Sequence, residues 1–93
     1  MQKNKISSKE MKITYHGQFR MSTRNNISTI AEKRRIAYKA RYEGESIGAA
    51  ECKQNGWKLS INPHRLYKFY DGNIFVFVGK NRRTLATIIN VAA

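Results

Sequence analysis

Three residues near the start of the chain have the types and spacing to act on a phosphodiester: His16, Arg20 and Arg24. They recur at every fourth position. On a helix, at about 100° per residue, they share one face within an arc of about 80°. Arginine grips the non-bridging oxygens of a phosphate with two parallel N–H bonds. Histidine titrates near neutral pH and can give or take a proton. The stretch from Tyr15 to Arg24 contains no acid, so the two arginines repel by roughly a few tenths of a kcal/mol. The plain alternative is a solvated basic face, or a histidine that caps nearby backbone.

The elements that must carry these residues can be read locally. Tyr15 to Arg24 reads as a short helix with Phe19 and Met21 as its apolar contacts, ended by Asn25-Asn26. Gly17 weakens it by about 1 kcal/mol relative to Ala. Ser28 or Thr29 is a good N-cap, with Glu32 placed for a capping box. From there to Tyr42, the residues Ile30, Ala31, Ile36, Ala37 and Ala40 form a helical stripe, and Gly44 is a natural C-cap. Glu45 to Gly56 reads equally as a short helix or an irregular connector. Trp57 to Ile61 is a strand candidate, and Pro63 interrupts it. Asn62 to Arg65, which includes His64, reads as a turn leading into a strand.

Three runs follow: Arg65 to Tyr70, Asn73 to Val78, and Thr84 to Val91. Asp71-Gly72 between the first two is a strong hairpin signal. Together they predict an antiparallel meander. Ile74, Val76 and Val78 point one way, Phe75 and Phe77 the other. One face requires cover from helices, and the other is expected to be shallowly exposed, against a partner or a second copy. The expected fold is α+β: two N-terminal helices packed on a three- to four-stranded antiparallel sheet. Residues 1–10 are polar and basic and read as a mobile arm, leaving residues 11–93 as a single domain.

Charge narrows the class of partner. Eighteen Lys and Arg stand against six Asp and Glu, a net charge of +12 on 93 residues. Such an excess destabilises a compact state by self-repulsion, and a polyanion relieves it. Nucleic acid is the expected partner. A solubilising surface with no partner is the plain alternative. The candidate contacts are Lys33, Arg34 and Arg41 on the second helix and Lys80, Arg82 and Arg83 around the last turn. Arg34 and Arg41 fall near the apolar arc of their helix. They either snorkel past the sheet edge or extend the phosphate track. The basic turn either protects a sheet edge or touches RNA backbone. Some aromatics among Trp57, Tyr67, Phe69, Tyr70, Phe75 and Phe77 could stack on bases, though most must be core.

The single Cys excludes an intramolecular disulfide and a Cys-based zinc site. No metal or cofactor is expected. No apolar run of about 18 residues and no secretory signal are visible, so the expectation is a cytoplasmic protein without a membrane partner.

The segment His16-Gly17-Gln18-Phe19-Arg20-Met21-Ser22-Thr23-Arg24 resembles the His-x3-Arg-Met-x2-Arg signature of a large family of small bacterial and phage domains. That family is similar to the RelE-type toxins and is grouped with the barnase–EndoU–colicin–RelE (BECR) ribonuclease fold. The far end is similar too. Tyr70, the run Asn73 to Phe77, and the run Thr84 to Ile89 resemble a family ending in which a Tyr and an apolar strand precede a last strand reading Leu-x-Thr-Val. The resemblance spans roughly residues 13 to 91, with no motif between Gly48 and Asn62. It implies a metal-independent, toxin-like endoribonuclease in which a 2′-OH attacks the adjacent phosphate and leaves a 2′,3′-cyclic phosphate. On that resemblance His16 would move a proton. Arg20 and Arg24 would stabilise the developing charge. Thr87 would bond the phosphate or orient the histidine. The alternative is a non-catalytic, phage-borne or bacterial basic module that binds nucleic acid or a host nucleoprotein machine. A third reading pairs the charge with an acidic protein such as an antitoxin.

Overall fold

The computed structural model describes residues 10–24 and 26–91, apart from the side chain of Arg24. All of the expected N-terminal arm except Glu10 lies outside the described residues. The elements in chain order are β1 (Lys12–Ile13), α1 (Tyr15–Arg24), α2 (Ile30–Glu43), β2 (Glu45–Ser46), α3 (Ala49–Asn55), β3 (Leu66–Tyr70), β4 (Asn73–Val78) and β5 (Thr84–Asn90). The fold is α+β, with helices packed on a sheet. The sheet has five strands in the order β1-β5-β4-β3-β2. It is mixed, because β1 runs parallel to β5 while the other pairs are antiparallel. This corrects the expected two helices and three or four antiparallel strands. No helix among the described residues is long and apolar enough to cross a membrane.

Local chemistry explains the central hairpin. Asp71 and Gly72 both have positive φ, 52° and 77°, which a two-residue turn needs to match the strand twist. Thr29 caps α2, its hydroxyl accepting from the Glu32 backbone N–H at 3.2 Å. Glu32 pairs with Arg35 at 3.8 Å.

Each sheet face has its own core. Phe75, Phe77, Leu85 and Ile88 bury against Met21 of α1 and Ala37 and Ala40 of α2, with Met11 closing the edge. Full burial of side chains of this size contributes about 1.5–3 kcal/mol each. On the other face, Tyr67, Ile74 and Val76 are covered by Ile47, Trp57, Leu59 and Ile61, and Trp57 stacks on Phe69 at 5.2 Å. This corrects the expectation of a shallowly exposed second face, because the chain covers it with its own residues. The segment of residues 57–61 is not a strand either. Its alternate residues Trp57, Leu59 and Ile61 press down on the sheet, so their period of two reports one-sided burial without a ladder.

A bulge sets the parity of β5. Phe77 pairs with Leu85 but Val76 pairs with Thr87, so Ala86 is the extra residue. Leu85 thus joins the helix-side core, while Thr87 lies beside Val76 on the opposite face.

Candidate functional site

Helix α1 is clamped to β5 at this bulge. Thr14 N–H donates to the Leu85 carbonyl at 2.9 Å, and the Thr14 hydroxyl donates to the Ala86 carbonyl at 2.9 Å. The same hydroxyl accepts from the Gly17 N–H at 3.0 Å, capping the helix. Gly17 lies so close to the strand that a Cβ there would sit 2.9 Å from the Leu85 oxygen. With Met21 buried underneath, the opposite side of α1 faces outward.

That outer side carries His16 and Arg20. Arg20 Nε donates to His16 Nε2 at 3.3 Å, which sets the guanidinium beside the imidazole. The contact is exposed. Arg24 ends α1, and its side chain lies outside the described residues. Thr87 is not brought to this group. The β5 register places it on the face opposite α1, and among the described residues no hydrogen bond links it to His16 or Arg20. Of the three marked residues whose side chains are described, His16 and Arg20 meet and Thr87 does not join them.

A denser arrangement of charge lies elsewhere. A groove of about 550 Å³ is lined by Lys12, Arg34, Lys80 and Arg83, with Glu10 its acidic residue. Three parts of the chain supply these cations: β1, α2 and the turn between β4 and β5. The parallel pairing of Lys12 with Thr84, and the Lys12 N–H bond to the Arg83 carbonyl at 3.2 Å, bring the first to the last. Among the described residues none of the four joins an ion pair. They are left to solvent or to an anion.

Arg41 and Arg82 shape this groove from within the fold. Arg41 Nε donates to the Arg82 carbonyl at 2.7 Å and its Nη2 to the Asn81 carbonyl at 3.4 Å. Arg82 Nη1 turns back onto the Gly79 carbonyl at 2.6 Å. Both arginines therefore hold the turn that presents Lys80 and Arg83. Lys33 departs from the expected track as well. It is buried, and it lines a separate cavity beside α1 with Tyr15 and Phe19.

Other candidates have structural roles. The Asn62 side-chain oxygen accepts from the His64 N–H at 2.8 Å, making the turn read from the sequence, and His64 is exposed. Cys52 is a buried free thiol. Burial pushes the Lys68 ammonium below its ordinary pKa, helped by the charge of Arg41, while its Nζ donates to Ser46 Oγ at 2.8 Å. The Glu51 carboxyl is held low because it accepts the Gly48 N–H at 2.8 Å and so caps α3. Among the described residues no group of three His, Cys, Asp or Glu could hold a metal.

Sequence reading missed Lys12. Its signal was the alternation Met11-Lys12-Ile13, apolar-polar-apolar, which is too short to stand out before its partner strand is known. Comparison with family models, with curated proteins and with solved structures gives no match to this chain.

Proposed function

We propose that the protein binds nucleic acid, with RNA as the first candidate, and that the groove of Lys12, Arg34, Lys80 and Arg83 holds its phosphates. One observation carries this reading: four cations from three parts of the chain line one groove, and among the described residues no carboxylate is bound to any of them. Like charges gathered in a concave surface raise the local potential and draw in a polyanion. An acidic protein surface would exploit the same potential.

A second reading is a BECR-like, metal-independent ribonuclease. The observation in its favour is the accessible His16–Arg20 contact, a proton-transfer group beside a phosphate-binding one. Thr87 has no place in that reading, because it lies across the sheet.

One experiment tests both. The affinity of the full chain for a labelled single-stranded RNA is measured by anisotropy at several salt concentrations. Four phosphate contacts on a single strand give a log–log slope of about −2.8, or roughly 50-fold between about 50 and about 200 mM salt. Arg34→Ser or Lys80→Ser should each reduce the slope by about 0.7. Unchanged slopes would refute the groove. The same mixtures, run with EDTA on a denaturing gel, report cleavage. Products that vanish in His16→Ala support the ribonuclease, and intact RNA eliminates it.

A further inference from the structure

Lys33 poses a problem the groove does not answer. The residue is 7% exposed, yet among the described residues its ammonium has no hydrogen bond and no ion pair. A buried charge without a partner is costly. It lines a cavity of about 220 Å³ with Tyr15, Gln18, Phe19 and Ser22. Two of these neighbours turn their donors elsewhere, Gln18 Nε2 to the Ile13 carbonyl at 3.3 Å and Ser22 Oγ to the Ile27 carbonyl at 3.4 Å, and neither accepts from Lys33. The other two, Tyr15 and Phe19, stand one turn apart on α1 and are 86% and 53% exposed. The cavity thus combines an unpaired cation in its wall with two bare aromatic rings at its rim.

A nucleotide satisfies both halves. Its phosphate supplies the missing counter-charge, and its base covers an aromatic ring. We propose that this cavity seats one nucleotide of a single strand, with the phosphate on Lys33 and the base against Tyr15 or Phe19. The inference rests on the nucleic-acid reading above and sharpens it, because in a duplex the base faces are stacked on each other and cannot reach the rings. Lys33 and Arg34 are consecutive residues of α2, one lining the cavity and the other the groove. A strand seated at Lys33 can continue along Arg34 toward Lys80 and Arg83.

The test uses the full chain with four labelled probes: a single-stranded RNA, a DNA of the same sequence, the RNA duplex, and an abasic strand that keeps the phosphates. The double variant Tyr15→Ala/Phe19→Ala removes one exposed and one half-covered ring and no core side chain, so its melting curve should stay close to that of the parent. It should bind base-bearing single strands about 10- to 100-fold more weakly and leave the abasic strand and duplex within about twofold. Lys33→Met should lower the single-strand salt slope by about 0.7, with Lys33→Arg restoring it. Equal losses on RNA and DNA assign the seat to base and phosphate; a loss on RNA alone assigns it to ribonucleotides. If the double variant binds single strands as the parent does while Arg34→Ser weakens every probe, the seat is overturned and the groove stands. If the parent binds no probe, both fall.

Discussion

Gly17→Ala sets two known effects against each other, and the structure decides the sign. In an exposed helix the change gains about 0.5–1 kcal/mol, because Gly loses more backbone entropy on folding. Here the added Cβ would lie 2.9 Å from the Leu85 carbonyl oxygen and 3.0 Å from Ile13 Cγ2. Neither neighbour can yield cheaply. The Leu85 oxygen is backbone of β5 and already accepts the Thr14 N–H at 2.9 Å, and Ile13 is in β1. Relief requires α1 to lift from β5 or that bond to stretch. Overpacking costs about 1–3 kcal/mol and a weakened hydrogen bond about 0.5–1.5 kcal/mol. The net expectation is a loss of about 1–2 kcal/mol, which lowers the melting temperature of a domain this size by about 5–15 °C. Urea unfolding followed by Trp57 fluorescence measures it, with the midpoint falling and the slope unchanged. A variant as stable as the parent, or more so, would mean that helix propensity wins and that α1 is not seated on the bulge. The placement of Tyr15, His16, Phe19 and Arg20 would then lose its support.

Arg41→Met should cost about 1 kcal/mol by releasing the carbonyls of Asn81 and Arg82. Amide exchange across residues 79–83 should quicken and RNA affinity should fall with the salt slope unchanged, since Arg41 positions the turn without itself lining the groove. Lys68 predicts a pH effect of defined sign: its folded pKa lies below the ordinary 10.5, so the folded chain loses this proton first. In the window between the two values the unfolded chain holds more protons, so this contribution to stability rises with pH, and below the folded value the penalty stands in full. The difference in unfolding free energy between the parent and Lys68→Met, followed from about pH 8 to about pH 11, should show that rise.

What could be read from the sequence was local. Tyr15–Arg24 and Asn73–Val78 match their expected bounds because each is set by its own pattern and by adjacent stop signals. Thr29 and the Asp71-Gly72 turn act within four residues. The contact between His16 and Arg20 belongs to the same class, since helix geometry alone places i beside i+4. Strands β1 and β2 have two residues each and no period to detect. They form because distant strands are already there to receive them. The clamp from Thr14 to Ala86 spans 72 residues, and the groove depends on it. Thr87 was marked by the resemblance alone, and the face it occupies depends on a bulge that no local pattern announces. An uninterrupted β5 would put residues 85 and 87 on one face, and the bulge at Ala86 reverses that parity. Lys33 was separable from Arg34 in principle, because consecutive helix positions diverge by about 100°.

The placement of the six acids argues that the positive edge is an arrangement and more than a solubilising excess. Glu32 is paired with Arg35, Glu51 caps α3, and Asp71 makes a turn. Glu43, Glu45 and Glu51 fall at or beside β2, which is the last strand in the order β1-β5-β4-β3-β2. The groove lies at the other end of that order, where Lys12 of β1 meets the turn before β5 and Glu10 is the acid within reach. Three of the six acids thus fall near β2, with Lys68 bonded to Ser46 of that strand among them, while the four cations that join no ion pair among the described residues line the groove at the other end. A field of that shape turns an approaching polyanion toward the groove before contact, and it does so more weakly as salt shortens its range. Added salt should therefore slow association with RNA much more than it speeds dissociation, whereas cations spread evenly over the surface would attract the strand without orienting it.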